Sequence, residues 1–466
     1  MSEFKNLSEV AKEYLGQLNK SFETGYNIGG LDQYNAAALR PQALDDELKR
    51  LTLSSDDFTI LGIIPRKPAR STVEQYVLET DLGFDFNSGN VAEPDIAPVT
   101  DPSIHQGLAR IKFLSITRQQ TLAAGLVNNI TDPMEELTRS GMLALGAVIE
   151  NNIFYGDEDL TAGDAGTGKQ FDGLVKLIDQ DNNVIDKRGE SLTEQDVNNA
   201  AATISVAFGK ATDAFMPIGV QTDFANNQFS RQVTLMQTPE GFKSGFNITG
   251  FQSSRGPISF HGSNIMDRSK IYRELQTAKF NTPAAPVAVT AAVAKGNGRF
   301  TDADVAAGTV TYHVHAYGAG GPSASVATTA VITDTDDAVT LTVDLGARGA
   351  VLPDFIEIGR NQLNDTAQFV IAKVPLNQAT VDANNHVIVT FVDVNDSIPG
   401  TADVFVGQIS NQVLSLLELL PMARMAVPQS GATIAFTVLW YGALALYAPK
   451  KWVMIKNVKY NAGQTH

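Results

Sequence analysis

The sequence predicts an α+β fold in which helices pack against β-sheets. A capped helical pattern covers residues 132–155, and two alternating strands flank a long polar stretch within residues 72–118. From residue 281 to 402, short alternating segments with turn signals between them are typical of a β-sandwich. A chain of 466 residues is long enough to divide into two or more domains.

The composition excludes several classes of function. A formal net charge of −16 predicts repulsion from nucleic acid and anionic lipid except at a local basic patch. The absence of cysteine excludes disulfides, thiol catalysis and thiolate metal sites. No apolar run approaches the length of a membrane span, and the charged, amphipathic start differs from a secretory signal. We therefore expect assembly in the cytoplasm and no membrane partner.

The long helix is the clearest element of the sequence. Asp132 is the expected N-cap, Pro133 suits the first turn, and Glu135 closes a capping box. Gly141 and Gly146 each lower helix propensity by about 1 kcal/mol relative to Ala. We therefore expect another backbone to pack closely against the helix at these glycines.

A long hairpin is predicted upstream of this helix. An amphipathic helix is expected over residues 7–20, and a second helix follows it. The segments TVEQYVLET and LARIKFLSIT then alternate as strands on either side of a polar tip. Such an excursion buries little surface within its own subunit, so the pattern indicates an arm that contacts a partner.

Downstream of the long helix, helical and strand patterns alternate. Ser191 and Glu194 predict a second capped helix, and the strand DAFMPIG follows it. The segment GQISNQVLSLLELLP is expected to be helical, with strongly apolar strands after it. Within the predicted sandwich, the candidate strands are 308–317, 325–333, 338–344, 354–359, 367–374 and 386–393.

A glycine-rich loop has the spacing of a phosphate-binding loop. Gly163, Gly168 and Lys169 match that spacing, but Gln170 stands where a Ser or Thr hydroxyl would bind Mg²⁺. The neighbouring acidic residues would repel phosphate, and the flanks lack the required strand and helix. The sequence therefore favours a surface loop over a nucleotide site.

A calcium-loop pattern at residues 179–190 is the first of two possible metal sites. Asp179, Asp181, Asn183 and Glu190 occupy positions one, three, five and twelve of a calcium loop, but the sixth position lacks the usual Gly. An Asp/Asn-rich turn is the favoured alternative, and calcium binding at 179–190 stays open.

His313 and His315 share one face of a predicted strand, which we interpret as half-exposed because no third ligand lies nearby in sequence. The sequence therefore assigns no catalytic, cofactor-binding or metal-binding residue and predicts that the protein is not an enzyme.

One cluster departs from the acidic character of the chain. Lys450, Lys451, Lys456 and Lys459 lie close together near the C-terminal end of the sequence. A solvated strand edge with ion pairs between subunits is the favoured interpretation, and a patch that touches DNA is the alternative.

Several stretches in a shared order resemble the major capsid proteins of tailed bacteriophages, in the large-myophage branch. They are AAALRPQALDDEL, DFTILGIIPRKPARSTVEQYVLET, IENNIFYGDEDL, FDGLVKLI, DVNDSIPGTADVF, LLPMARM and YGALALYAPKKWVMIKNV. Within 281–403, TYHVHAYGAGGPSASV and FIEIGRNQLNDTAQFVIAKV resemble a fibronectin- or immunoglobulin-type module. Gly359 stands where that module would carry a bulky residue before Arg360.

The resemblance implies a Hong Kong 97-type capsid fold with an inserted β-sandwich. Its implied parts are an N-terminal arm (1–56), an extended loop (57–118), a peripheral domain with the spine helix (119–190), an axial domain (191–280), the inserted sandwich (281–403) and a return to the axial and peripheral domains (404–466). No motif for a Lys–Asn isopeptide crosslink is present, so none is expected.

The resemblance also implies a function. Copies would assemble as pentamers and hexamers into the icosahedral head shell of a virion, enclosing double-stranded DNA without sequence-specific contacts. Portal, scaffold, protease and decoration proteins are candidate partners, and assembly would take place in the host cytoplasm. An encapsulin-like protein compartment and a glycan-binding surface protein are the alternatives.

Overall fold

The computed structural model describes most of the chain from residue 53 onward. The described ranges are 53–83, 90–91, 93, 99, 101–126, 132–161, 168–178, 182–229, 236–238, 241–243, 248–268, 282–318, 320–347, 353–362, 367–428 and 431–461. The helices predicted before residue 53 lie outside them. The chain forms two compact units, one of Met1–Thr52 with Asn128–Asp132 and a larger one of Leu53–Val127 with Pro133–His466. Every helix and strand named below belongs to the larger unit.

In the described residues the helices are α1 (Ile60–Ile63), α2 (Leu122–Leu126), α3 (Pro133–Tyr155), α4 (Leu174–Leu177), α5 (Glu194–Val206), α6 (Ile218–Phe229), α7 (Asn264–Arg268) and α8 (Asp302–Ala307). The longer helices α3 and α5 each bury one apolar side, whereas the short helix α8 buries none of its residues. The long helix α3 begins and ends as its sequence predicts, at Pro133 and just before Gly156. Among the described residues, no helix is both long and apolar enough to cross a membrane.

The strands fall into sheets of two to six members. They are β1 (Arg66–Pro68), β2 (Val73–Asp81), β3 (Ser103–Arg110), β4 (Lys112–Thr121), β5 (Val184–Asp186), β6 (Asp213–Pro217), β7 (Met236–Thr238), β8 (Gly241–Lys243), β9 (Gly250–Ser253), β10 (Gly256–Ser263), β11 (Ala288–Lys295), β12 (Thr309–Gly318), β13 (Gly321–Pro322), β14 (Val326–Val331), β15 (Asp337–Ala347), β16 (Phe355–Asn361), β17 (Gln368–Pro375), β18 (Thr380–Val381), β19 (His386–Asp393), β20 (Thr401–Gly407), β21 (Leu414–Val427), β22 (Thr433–Leu446) and β23 (Trp452–Lys459). Together the helices and sheets confirm the predicted α+β class.

A four-stranded sheet packs against the long helix. Its order is β1-β21-β22-β4, and β4 pairs antiparallel with β22 from Lys112 to Thr121. The face toward α3 carries large buried side chains, among them Trp440 and Val438, which meet Leu145 and Ile149 of the helix in one core. The side of α3 that faces away from the sheet includes exposed residues such as Glu135 and Arg139.

A six-stranded mixed sheet has a separate core on each face. Its order is β5-β23-β20-β6-β10-β9, with β6 parallel to β10 and antiparallel to β20. Ala214 and Met216 of β6 face the core that contains α5 and α6. Phe215, between them, points the other way and lies 5.9 Å from Phe154 of the long helix, between ring centroids. Because successive side chains of β6 point to opposite faces of the sheet, this strand contributes to both hydrophobic cores.

The third region, here called the β unit, comprises β11–β19. One sheet has the order β11-β15-β19-β18, and the other has β13-β12-β16-β17 with β14 paired to β12. Buried side chains from both sheets share one core, among them Tyr312, Leu341 and Ile356. The six strands expected from the sequence all form within two or three residues of their predicted bounds at either end. Its likeness to an immunoglobulin- or fibronectin-type module stays a prediction.

One predicted helix is wrong. Residues 407–421 were expected to be helical, but Leu414–Val427 is strand β21. The segment from Val413 to Leu417 is buried without interruption, so its apolar residues lack the alternation that marks a half-exposed strand. A short apolar run of this kind cannot be distinguished from a buried helix by periodicity.

Two local predictions also need correction. Helix α5 is capped by Thr193 and Asp196, not by Ser191 and Glu194, because Leu192 is buried before the cap and shifts the start by two residues. The glycines of the long helix meet side chains rather than a backbone. A Cβ on Gly146 would lie 2.8 Å from the Phe58 ring, and one on Gly141 would lie 3.2 Å from a Val438 methyl.

Candidate inter-subunit surface

The predicted hairpin forms a two-stranded ribbon. Strands β2 and β3 pair antiparallel, with Val73 opposite Arg110 and Glu79 opposite Ile104. Within the described residues no third strand joins them. The strand predicted as LARIKFLSIT is divided at Ile111, whose N–H donates to the Thr72 carbonyl at 2.9 Å. Before this residue the chain belongs to the ribbon, and after it to the four-stranded sheet.

One face of the ribbon base is anchored to the body of the subunit. The rings of Tyr76 and Tyr447 meet edge to face, with centroids 4.8 Å apart. Gly107 lies opposite Tyr76, and a Cβ there would lie 2.3 Å from the tyrosine ring, so only glycine admits this packing. Burial, followed by the neighbouring Tyr447, raises the pKa of the Tyr76 hydroxyl, so it stays protonated.

The opposite face of the ribbon carries four exposed apolar side chains, each of which lies opposite a polar residue of the other strand: Arg110, Gln106, Glu79 or Gln75. We call Val73, Val77, Ile104 and Leu108 the ribbon face, because the register places all four on one side in a zigzag across the two strands. Val77 is 71% exposed and Ile104 is 62% exposed. Scattered exposed apolar residues are ordinary, but four on one side of a two-stranded ribbon favour an interaction surface.

A second apolar surface lies on the four-stranded sheet, on the side away from the long helix. We call Phe113, Tyr441 and Met425 the sheet face. The Phe113 and Tyr441 rings meet edge to face at 4.7 Å, and Phe113 is 59% exposed. The register puts Met425 beside Thr437, whose hydroxyl lies 3.0 Å from the Thr117 hydroxyl. This side of the sheet thus exposes the Phe113 ring and the Met425 thioether, while the Thr437 hydroxyl between them is buried.

The predicted glycine-rich loop is tied down at its described end. Lys169 Nζ lies 2.7 Å from the Asp354 carboxylate of the β unit. Lys112 Nζ donates to the Gly168 carbonyl and to Glu158, both at 2.8 Å. Residues 162–167 lie outside the described ranges. The lysine of the phosphate-loop pattern therefore already has a carboxylate partner.

Charge pairs that were not predicted from the sequence hold the segments on either side of this loop. Lys176 Nζ contacts Asp157 and Asp159 at 2.6 Å and Asp172 at 3.1 Å. Partial burial raises the pKa of Glu158, but the hydrogen bonds and charges of Lys112 and Arg110 outweigh it and lower that pKa below its ordinary value. The pairs of Lys112 and Arg110 with Glu158 join residues 46 and 48 positions apart, which spacing cannot reveal, whereas Asp172 and Lys176 have the i,i+4 spacing.

The calcium-loop pattern is only partly within the described residues. Asn183 donates from its amide to the carbonyls of Lys450 and Trp452, both at 2.8 Å, so it bridges two segments of backbone. Glu190 pairs with Lys187, whereas Asp179 and Asp181 lie outside the described ranges. Across the part of the chain that the structure describes, no three His, Cys, Asp or Glu side chains are grouped to hold a metal ion.

The two strand histidines occupy different environments. His313 Nε2 lies 2.8 Å from the Gln368 amide nitrogen, and burial, followed by the charge of His315, lowers its pKa. His315 is buried, and its Nδ1 lies 2.9 Å from the Ser323 carbonyl. The prediction of a half-exposed face is therefore wrong for His315, because the hairpin that returns through Ser323 covers it.

The C-terminal lysines do not form one patch of unpaired charges. Lys456 pairs with Asp396 of the same chain at 2.8 Å, and ion pairs between subunits stay a prediction. Lys450 and Lys451 lie in a short 3-10 turn, Pro449–Lys451, at the other end of β23 from the exposed Lys459. A strand of eight residues therefore separates the two ends of the predicted cluster.

An extended ribbon and a four-stranded sheet, each with exposed apolar side chains, are features of a structural protein that associates with other chains. The family described as SU10 major capsid protein matches residues 112–273. The major capsid protein of Staphylococcus phage K is 43% identical over 98% of this chain and 99% of its own length. A protein of Enterococcus phage phiEF24C is 40% identical over 99% of both chains.

The chain belongs to the phage major capsid protein family, which confirms the capsid fold and the major capsid role inferred from the sequence resemblance. The immunoglobulin-type module, the enclosed DNA, the partner proteins and the site of assembly stay predictions. Solved structures with similar coordinates share little sequence. One from Mycobacterium phage Adephagia has a TM-score of 0.46 and 8% identity, covering 92% of this chain and 98% of its own. The holo-SrpI encapsulin complex of Synechococcus elongatus has a TM-score of 0.42 and 9% identity, covering 93% and 98%.

Proposed function

We propose that copies of this chain assemble into the hexamers and pentamers of an icosahedral phage head, and that the ribbon of one copy lies on the sheet face of the next. The ribbon face carries the proposal. Its four apolar side chains stay 42–71% exposed within the described part of their own subunit, so contact with a neighbour would remove further apolar surface from water.

Burial on a neighbour would stabilise the contact appreciably. Fully burying one Val, Leu or Ile side chain contributes about 1.5–3 kcal/mol. Burial of the four ribbon side chains would therefore offset much of the free-energy cost of association. The sheet face offers Phe113, Tyr441 and Met425, which are adaptable apolar partners. Because each subunit both gives a ribbon and receives one, contacts of modest strength multiply around a closed shell.

Net charge suits a container for DNA. A subunit charge of −16 would not adsorb the polyanion on its inner wall, so DNA could slide during packaging. We infer that the virion is the site of action and the host cytoplasm the site of assembly. We also infer the ranges 1–56, 57–118, 119–190, 191–280, 281–403 and 404–466 as arm, extended loop, peripheral domain, axial domain, insert and return. The insert would project outward.

Charge substitutions on the ribbon face test the proposal. Val77→Asp with Leu108→Asp should leave the subunit folded, because both side chains are exposed, but should greatly reduce particles seen by negative-stain microscopy. The matched control is Val331→Asp, an exposed valine of the β unit at 58% exposure, which should leave particle yield unchanged. Normal particles from the double variant would contradict the role of the ribbon.

The content of the particles separates the phage head from an encapsulin-like compartment. Particles from infected cells should hold nuclease-protected double-stranded DNA. Particles that hold a defined protein cargo and no DNA would instead support the compartment.

A further inference from the structure

The C-terminal end of α5 carries an exposed apolar tip, which consists of Val206 and Phe208. Val206 is 81% exposed and Phe208 is 89% exposed, the highest value for any described aromatic residue among the exposed large hydrophobics. Gly209, which follows, is buried, so the chain turns inward directly after the tip. The two side chains therefore project from the surface rather than lining a depression.

The backbone holds Phe208 in a conformation that aromatic residues rarely adopt. Its φ is +57°, in the left-handed region where helices usually place Gly or Asn. Hydrogen bonds from Phe208 N to Ser205 O and from Gly209 N to Ile204 O, at 3.0 and 2.9 Å, fix this turn. A Phe that is both strained and exposed does nothing for the isolated subunit, which indicates a role outside it.

Lysines adjoin the tip in sequence and in the turn Pro449–Lys451, which packs against α5. We call Lys210, Lys450 and Lys451 the lysine rim. Lys210 follows the tip, and Lys451 lies at its base, where a Cβ on Gly209 would lie 3.1 Å from Lys451 Cγ. None of the three makes an ion pair with the described residues, although the chain as a whole carries a charge of −16. An apolar centre with a cationic border suits an acidic protein surface.

We propose that the tip of α5 docks onto a second copy of this chain, with the lysine rim facing its acidic surface. This inference rests on the proposed self-assembly. Each copy supplies the excess carboxylates that the lysines would neutralise, and contact with a copy removes Phe208 and Val206 from water. DNA could also neutralise the lysines, but its phosphates would leave the apolar tip uncovered.

Because the strain lies in the backbone at Phe208, one substitution can affect assembly without destabilising the fold. Phe208→Asn removes the ring and places a residue that tolerates the left-handed conformation, so the melting temperature of the subunit should stay the same or rise. The concentration at which half of the chain sediments as particles should rise about tenfold or more. Val381→Asn, at an exposed valine of the β unit, is the control and should change neither quantity.

Unchanged assembly of Phe208→Asn beside normal wild-type particles would overturn this inference and leave the proposed function intact. If the wild-type chain forms no particles, the proposed function itself fails. Should Phe208→Asn fold poorly, Val206→Ser decides instead, because this exposed helix-terminal position tolerates a hydroxyl. Normal assembly of a stable Val206→Ser variant would also overturn the proposal.

A triple variant distinguishes a second copy from DNA. Lys210→Gln, Lys450→Gln and Lys451→Gln together should raise the half-assembly concentration of DNA-free chains several-fold, because the rim would meet protein carboxylates. If DNA-free assembly is normal and only the salt resistance of DNA retention falls, the rim binds DNA and the proposal is wrong.

Discussion

At the scale of single residues, Glu150 is the least expected feature of the long helix. It is fully buried, and its carboxylate accepts hydrogen bonds from Thr59 N at 3.1 Å, Thr59 Oγ1 at 2.9 Å and Ser263 Oγ at 3.4 Å. No cation is among these partners. Glu150 therefore joins α3, the start of α1 and the end of β10 through neutral donors alone.

Glu150 gives a pH prediction with a definite sign. Burial raises the pKa of its carboxyl, and the hydrogen bonds from Thr59, Leu61 and Ser263 only partly oppose that effect. With a folded-state pKa above the unfolded one, the protonated group stabilises the fold below the unfolded pKa, and this stabilisation is lost as pH rises through the folded pKa. The unfolding free energy of wild type, relative to Glu150→Gln, should therefore fall as the pH rises from the unfolded-state pKa of Glu150 through its folded-state pKa.

Glu158 is the matched control because its pKa moves in the opposite direction. Lys112 and Arg110 lower that pKa, so its stabilisation is present above the unfolded pKa and is lost as pH falls through the folded one. Denaturant unfolding of both Gln variants from pH 3 to 7 measures the two slopes. Equal slopes would contradict the opposite environments assigned to these carboxyls.

At the scale of elements, a polar joint connects the β unit to the six-stranded sheet. Arg188 Nη1 donates to the Asn395 carbonyl at 2.8 Å, and Arg188 Nη2 donates to the Arg299 carbonyl. Asn457 of β23 accepts from Ile398 N at 3.0 Å and donates to the Asp396 carbonyl at 2.8 Å. Arg188, Asn395 and Asn457 all have positive φ, so the joint is built from turns of unusual backbone geometry.

The joint continues into the core of the β unit. Arg360 is buried and pairs with Asp393, which also accepts from the Tyr312 hydroxyl at 2.8 Å. Arg360 donates further to the side chain of Asn395, the residue that Arg188 contacts through its carbonyl. A continuous set of hydrogen bonds thus runs from the β unit core to strand β5, and we expect it to fix the orientation of the β unit.

Truncation of Arg188 should loosen the joint without unfolding either side. Arg188→Ala removes hydrogen bonds worth about 1–3 kcal/mol in total, so amide exchange at residues 395–398 should accelerate while exchange in β20 and β23 stays slow. Arg139→Ala, at an exposed position of the long helix, should alter neither region. Unchanged exchange at 395–398 would show that the β unit is held by other contacts.

At the scale of the whole molecule, the β unit has its own core and can be separated from the shell-forming part. Strand β20 belongs to the six-stranded sheet, so a deletion must end before Thr401. Replacing residues 284–398 by a short Gly/Ser linker should leave a cooperatively folded chain that still forms particles under the electron microscope. An insoluble or noncooperative product would show that the β unit is required for folding.

The sequence allowed the order of elements to be predicted far better than their contacts. Long α3 and the strands of the β unit were predicted closely, because capping residues and strict alternation are local signals. Strand β21 was assigned wrongly because burial on both faces removes alternation. The ribbon face, the sheet face and the tip of α5 depend on strand register, long-range pairing and backbone φ, none of which has a signature in spacing.

Ile111 has a mechanical consequence. It is the single residue between β3 and β4, and β4 is hydrogen-bonded to β22 along ten consecutive residues. Tension on the ribbon would pass through this one residue into β4 and from there into the four-stranded sheet. In the proposed shell, a force that separates neighbouring subunits would therefore be carried by the backbone pairing of that sheet.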